Sequence, residues 1–240
     1  SACFPLVPFS NRIRKGRFTF ESHNYQLAAN WDGDEHVIHG EGWQQAWEIV
    51  ALEYARAVLR LKGTTAWPWS YECLQEITLG ETGIVLALTL RNTGTAPMPA
   101  GLGFHPYFPH TASTALQFDA QRIWPPLGET ALVPHVPDRT NSFSVMRPVS
   151  DCVLDHCFDG WSGTARILQP DMGLEVTLTA SRSAAYCVVY TPASEPYFGF
   201  EPVSHCTGAF EADDIADAGL KVLQPGKSLG LSLTLGAKRR

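Results

Sequence analysis

Two short motifs carry side chains suited to moving protons. In Gly101-Leu-Gly-Phe-His105-Pro106-Tyr107-Phe108, a histidine stands among aromatic residues and ahead of a proline that restricts its backbone to extended geometry. An imidazole titrates near neutrality, so His105 is the natural proton donor or acceptor of the chain. In Phe198-Gly-Phe-Glu201-Pro202, a carboxylate ends an apolar run, again before a proline. Partial burial there raises a carboxyl pKa and makes the ionised form a better base. A strand-end glutamate in water is the plainer alternative.

Three other residues stand where a ligand can be held. Arg12 lies between apolar Phe9 and Ile13 in Phe9-Ser-Asn11-Arg12-Ile13, and its five donors suit neutral hydroxyls or a carboxylate. Its neighbours Arg14, Lys15 and Arg17 around Gly16 read as a solvated turn. His39 sits in His36-Val-Ile-His39-Gly40-Glu41-Gly42-Trp43, where the glycines let the backbone hold the ring close to a ligand. A structural, hydrogen-bonded histidine is the other reading. His36 and His39 point to opposite faces of a strand, and no further ligand pattern completes them, so no metal site is expected. Asp155, in Val153-Leu-Asp155-His156-Cys157-Phe158, is able to accept a hydroxyl, and His110 reads as a surface residue.

The elements that must position these groups read as strands. Phe18 and Phe20 alternate before a polar turn at Glu21-Ser22-His23-Asn24, and Tyr25 and Leu27 resume after it, as in a hairpin. Gly83 to Leu90, Leu174 to Thr179, Tyr186 to Thr191 and Leu229 to Leu235 are further β-type runs. Trp43, Trp47, Val50, Tyr54, Ala57, Val58 and Leu61 instead fall at helical spacing, although Trp47-Ile49-Ala51 and Ala57-Leu59-Leu61 also fit two strands. Gly (20) and Pro (17) are spread through the chain, which suits many short elements joined by turns.

Composition excludes several classes of function. The 240 residues are 45% apolar and only 18% charged, so a large core is expected and disorder is not. A net charge of −6 argues against nucleic acid or an anionic membrane as the partner. The longest apolar runs, such as Ile84 to Leu88, are too short to span a bilayer. Six scattered cysteines without Cys-x-x-Cys spacing suggest buried, reduced thiols. With no signal-peptide pattern at the start, a cytoplasmic location is expected, although the chain does not begin with Met.

Taken in order, the motifs resemble those of the aldose 1-epimerase (mutarotase) family. The pieces that match are Asn11-Arg12-Ile13 with Gly16-Arg-Phe, His39-Gly40 ahead of a Trp, His105-Pro-Tyr-Phe, Leu-Asp155-His-Cys-Phe and Phe-Glu201-Pro with Ser-His205. Each is short, and their order along nearly the whole chain is what makes the match specific. The resemblance implies an all-β fold, a large twisted antiparallel β-sandwich, and favours strands over a helix between Trp47 and Leu61. It implies one domain over residues 1–240, beginning just before the Asn-Arg-Ile strand and so without the N-terminal strands of family members. It also implies a cofactor-free, metal-free isomerase, a monomer or homodimer, that interconverts the α and β anomers of a free hexose. By the same resemblance Glu201 is the base at the anomeric hydroxyl and His105 the acid at the ring oxygen. His39 and Arg12 hold the ring-oxygen side and nearby hydroxyls, and Asp155 accepts a hydroxyl. Trp43, Tyr107 and Trp161 are candidate stacking surfaces for a sugar ring. Two alternatives remain open at this point. One is a hexose 6-phosphate mutarotase using Arg14, Lys15 or Arg17; the other is a non-catalytic sugar-binding module on the same fold.

Overall fold

The computed structural model describes residues 3–128 and 132–240. Among them the only helical segments are four 3-10 turns of three residues each, and the remaining regular structure is strand. A six-stranded sheet runs in the order Cys3–Leu6, Gly103–Pro109, Tyr197–Val203, Tyr186–Tyr190, Asp155–Asp159, Arg122–Trp124. A nine-stranded sheet is centred on Ser228–Arg239 and Gly83–Asn92 and ends at the edge strand Glu48–Leu52. Strand neighbours pair antiparallel throughout both sheets.

Alternation along each strand sends one set of side chains inward. Leu86, Leu88 and Leu90 from one sheet, and Phe104, Phe198 and Phe200 from the other, are all buried in one continuous core. Phe118, which follows the strand Ala115–Gln117 of the nine-stranded sheet, meets Phe158 and Phe200 of the six-stranded sheet edge to face. The two sheets thus pack as a sandwich, the architecture expected when both sheets have one apolar face.

The ambiguous stretch resolves as two strands, Glu48–Leu52 and Arg56–Lys62, paired with a register shift between Ile49 and Ala51. Sheet pairing overrides the helical spacing, because Arg56–Lys62 completes a ladder with Tyr71–Leu79 along its whole length. The Phe18 hairpin also forms, from Arg17–Phe20 and His23–Gln26. Its turn is tighter than the four-residue expectation: Glu21 and Ser22 alone make it, both at positive φ, as a two-residue hairpin loop requires. Four thiols, those of Cys73, Cys157, Cys187 and Cys206, are buried; Cys3 and Cys152 are half-buried. Among the described residues no helix is long and apolar enough to cross a membrane.

Candidate active site

Sheet register alone brings the two proton-transfer candidates together. Gly103 pairs with Val203 and Tyr107 with Gly199, which puts His105 opposite Glu201 on neighbouring strands. Phe4 pairs with His105 on the other side. Paired residues share a face, so Phe4, His105 and Glu201 form one row. Two residues along, Tyr107, Gly199, Tyr190 and Asp155 form the next row. Phe4, His105, Glu201, Tyr107, Tyr190 and Asp155, together with residues of the N-terminal segment, line a cavity of about 430 Å³. That volume lies within the range of small-molecule sites.

At its floor, His105 Nε2 lies 3.1 Å from Glu201 Oε1, with the two residues only 4% and 3% exposed. The two side chains are in direct contact, as pairing across neighbouring strands allows. Tyr107 stacks on the imidazole at 4.3 Å, and Phe4 lies 4.7 Å from it, which fixes the ring plane. Burial drives the Glu201 carboxyl well above its ordinary value; Asp155 adds to this and Arg12 opposes it. Burial likewise holds the His105 imidazole down, to about 3. Both groups are thereby biased toward their neutral forms, in contact at 3.1 Å.

The N-terminal segment supplies the other wall, held by two buried histidines. His205 Nε2 accepts from the Ser10 N–H at 3.0 Å, while its Nδ1 meets the Cys206 carbonyl at 2.9 Å. His39 Nδ1 accepts from the Asn11 N–H at 3.0 Å, and the His39 N–H returns a bond to the Asn11 carbonyl. That acceptor role leaves the His39 proton on Nε2, the remaining ring nitrogen. Burial first, and His105 second, hold the His39 pKa well below its ordinary value, so the ring is a neutral donor. Asn11 takes positive φ, which an asparagine tolerates, and its Oδ1 accepts the Arg12 N–H.

The glycines beside His39 serve a different contact from the one expected. A Cβ on Gly40 would lie 2.2 Å from the Val7 carbonyl oxygen, and one on Gly42 would lie 2.2 Å from Val7 Cγ1. The Val7 carbonyl accepts from both Glu41 and Gly42, so the close approach is to the chain itself rather than to a ligand. Between them, Glu41 is buried and accepts from the Tyr71 hydroxyl at 2.7 Å and the Thr64 N–H at 3.0 Å.

Arg12 points into the cavity and is held by two carboxylates, with Nε 2.9 Å from Asp34 and Nη1 3.4 Å from Asp155. Burial alone would raise the Asp34 carboxyl; the Arg12 guanidinium and the His36 N–H together outweigh it and hold the group below its ordinary value. Neither Asp34 nor Asn30 stood out in the sequence. Asn30 holds the His39 loop through Ile38 and Gly40, donating to both carbonyls and accepting the Ile38 N–H. An Asp-Gly-Asp turn and a lone Asn carry no signal of these partners.

All five expected site residues, Arg12, His39, His105, Asp155 and Glu201, line the one cavity, as do Trp43 and Tyr107. Trp161 does not: it is buried against Phe200, with Nε1 donating to the Ala184 carbonyl at 2.7 Å. Arg14, Lys15 and Arg17 also lie outside this cavity, pairing respectively with Glu211, Glu35 and Gln26.

His39, His105 and Glu201 present ligand-type atoms within 4.8 Å of one another, a spacing a metal ion can bridge. The hydrogen bonds do not fit one. A ligating imidazole donates its second N–H to an acceptor, whereas His39 Nδ1 receives a backbone N–H and buried His105 Nδ1 has no hydrogen-bond partner.

Residues 1–236 match the family model described as aldose 1-epimerase. The uncharacterized protein YphB of Escherichia coli K12 is 30% identical over 98% of this chain and 83% of its own length. A crystal structure from Escherichia coli K12 superposes with a TM-score of 0.91 at 28% identity, covering 100% of this chain and 84% of that one. Galactose 1-epimerase from Lactobacillus acidophilus NCFM shares the fold, with a TM-score of 0.76 at 17% identity over 98% of this chain and 79% of that one. Matched by that family model over nearly its whole length, the chain belongs to the aldose 1-epimerase family.

Proposed function

We propose that this protein interconverts the α and β anomers of a neutral free aldose, with Glu201 as the base and His105 as the acid. The observation that carries the reading is the 3.1 Å contact between Nε2 and Oε1 at the floor of the cavity. Opening a hemiacetal ring removes a proton from O1 and delivers one to O5. These oxygens are bonded to the same carbon, so an acid and a base in contact with each other reach both at once. Two groups placed on neighbouring strands suit this better than a pair separated by the width of the ring.

Burial biases the pair toward neutral acid and neutral imidazole; the productive form is carboxylate and imidazolium. These forms contain the same protons and differ only in which side of the contact the proton occupies. Arg12 favours the carboxylate, and the Tyr107 face stacked on His105 favours the imidazolium. As C1–O5 breaks, Glu201 accepts the O1 proton and Nε2 gives its proton to O5, leaving the open-chain aldehyde. Rotation about C1–C2 and reversal of both transfers closes the ring on the other face. The His39 Nε2–H and the Arg12 guanidinium donate to sugar oxygens, and Asp155 accepts a hydroxyl. Both steps are proton transfers, so the reaction calls for no redox or metal centre. A reducing, cytoplasmic setting suits the four buried thiols.

Charge in the cavity favours a neutral sugar over a hexose 6-phosphate. Its one cation, Arg12, is already paired with Asp34 and Asp155, and Asp32 adds a third carboxylate to the lining. Polarimetry of freshly dissolved α-D-galactose or α-D-glucose, with and without protein, tests the reading. Acceleration is expected, with glucose 6-phosphate at least about tenfold poorer in kcat/KM because like charges meet at close range. Sugar binding without acceleration would instead identify a binding module.

A further inference from the structure

We propose that His205 is a positioning residue that sets, through the Ser10–Asn11 backbone, which nitrogen of His39 carries its proton. His39 and Asn11 line the cavity, whereas His205 and Ser10 lie behind its wall. The bearing of His205 on turnover rests on the anomer-exchange reading, in which the His39 Nε2–H donates to a sugar oxygen.

The relay begins at a carbonyl. His205 Nδ1 lies 2.9 Å from the Cys206 carbonyl oxygen, which can only accept, so the ring proton sits on Nδ1. That leaves a lone pair on Nε2, where the Ser10 N–H arrives at 3.0 Å and the Ser10 hydroxyl at 3.4 Å. A proton on Nε2 would instead set donor against donor. Burial holds the His205 pKa down, to about 4, so the ring stays neutral and keeps its lone pair. The next amide repeats the pattern, with the Asn11 N–H meeting His39 Nδ1 at 3.0 Å. Two successive main-chain donors thus enter two imidazoles, and each leaves one nitrogen for the proton.

The surroundings are built to hold this chain of bonds. His205 and Ser10 are both buried, so a Ser10 N–H without its acceptor would pay the full cost of lost solvation. Gly101 makes room for the imidazole: a Cβ there would lie 2.2 Å from His205 Cδ2. The Gly101 N–H also ties down the same segment through the Pro8 carbonyl, at 2.7 Å. Phe210 meets the His205 ring edge to face at 6.3 Å. Asn11 takes a φ of 55°, a strained conformation that persists only where neighbouring contacts over-determine it. The Ser10 bond to His205 is one of those contacts. Without it the peptide can turn, and the Asn11 N–H no longer has to face His39. The Glu201–His105 contact is fixed by sheet register and does not pass through this segment.

Long-range proton–nitrogen NMR spectra of the histidine-labelled wild-type protein read both tautomers without requiring turnover. His205 is expected to carry its proton on Nδ1 and His39 on Nε2; the opposite tautomer at either ring overturns the relay. His205→Leu removes the acceptor, whereas His205→Gln keeps an oxygen near the place of Nε2. In His205→Leu the His39 proton should divide between its two nitrogens. KM for galactose should rise about tenfold, the scale of one buried hydrogen bond, with kcat within about twofold because Glu201 and His105 stay in place. His205→Gln should restore most of both readouts. An unchanged His39 tautomer in folded His205→Leu, or an equal rise in KM in the two variants, overturns the proposal. The wild-type spectrum carries the test even where His205→Leu does not fold. Expected tautomers in a wild-type protein that accelerates no sugar overturn anomer exchange alone, whereas acceleration with the opposite tautomers overturns the relay alone.

Discussion

Gly199 leaves open the space that the His105 imidazole fills: a Cβ at position 199 would lie 3.1 Å from His105 Cε1. The glycine sits in the middle of a strand, between Tyr107 on one side and Tyr190 on the other, where a side chain would ordinarily stabilise the sheet. A side chain there would crowd the imidazole that meets Glu201.

Gly199→Ala is therefore expected to displace the ring by a few tenths of an ångström without unfolding the strand. Misplacement of a reacting group on that scale predicts a fall in kcat of about tenfold. The thermal midpoint should stay near that of the wild type. Steady-state polarimetry beside a melting curve checks both, and unchanged kcat would show that ring placement is not limiting.

The pH profile follows from the opposite shifts of the two paired groups. Burial holds the imidazole below its ordinary 6.5 and the carboxyl above its ordinary 4.5. Lowering the pH adds a second proton to the pair, and raising it removes the only one, so the protein-dependent rate is bell-shaped. With the imidazole depressed, the acid limb belongs below 6.5; with the carboxyl raised, the alkaline limb belongs above 4.5. The rate measured against a protein-free blank at each pH checks this, and an acid limb at or above 6.5 contradicts it.

Gly40 tests the scaffold rather than the chemistry. It holds φ at 65°, and a Cβ would lie 2.2 Å from the Val7 carbonyl oxygen. Gly40→Ala combines backbone strain with a clash against main chain that cannot swing away, and should cost about 2–3 kcal/mol. Urea unfolding measures the loss directly; a change under about 0.5 kcal/mol, the size of an ordinary surface substitution, would mean that the Val7 loop yields freely.

Much of this site was legible in the sequence, and for a physical reason. His105 and Glu201 are rare polar residues inside apolar, proline-bounded strands, so their settings mark them; Arg12, His39 and Asp155 gained their place from motif order. Their contacts were not legible. Which residues sit opposite one another depends on register across strands nearly a hundred residues apart, and no local pattern encodes that. Asp34 and Asn30 escaped notice for the same cause, since each acts through partners far away in the chain or on main-chain atoms. Trp161 misled because a tryptophan in a core and one in a cleft look alike in sequence. The strands at Glu48–Leu52 and Arg56–Lys62 show the same limit in the fold, where pairing with Tyr71–Leu79 decides what residue spacing leaves undecided.

The most direct test of acid–base catalysis by the buried pair is polarimetry of fresh α-D-galactose with the wild type, Glu201→Gln and His105→Asn at equal concentration. Both substitutions keep the side-chain size close to the original while removing a group that can take up or give a proton. The acceleration should drop by roughly 10²–10⁴-fold in each variant, with folded secondary structure retained. Near wild-type acceleration in either folded variant would contradict the assignment of proton transfer to His105 and Glu201.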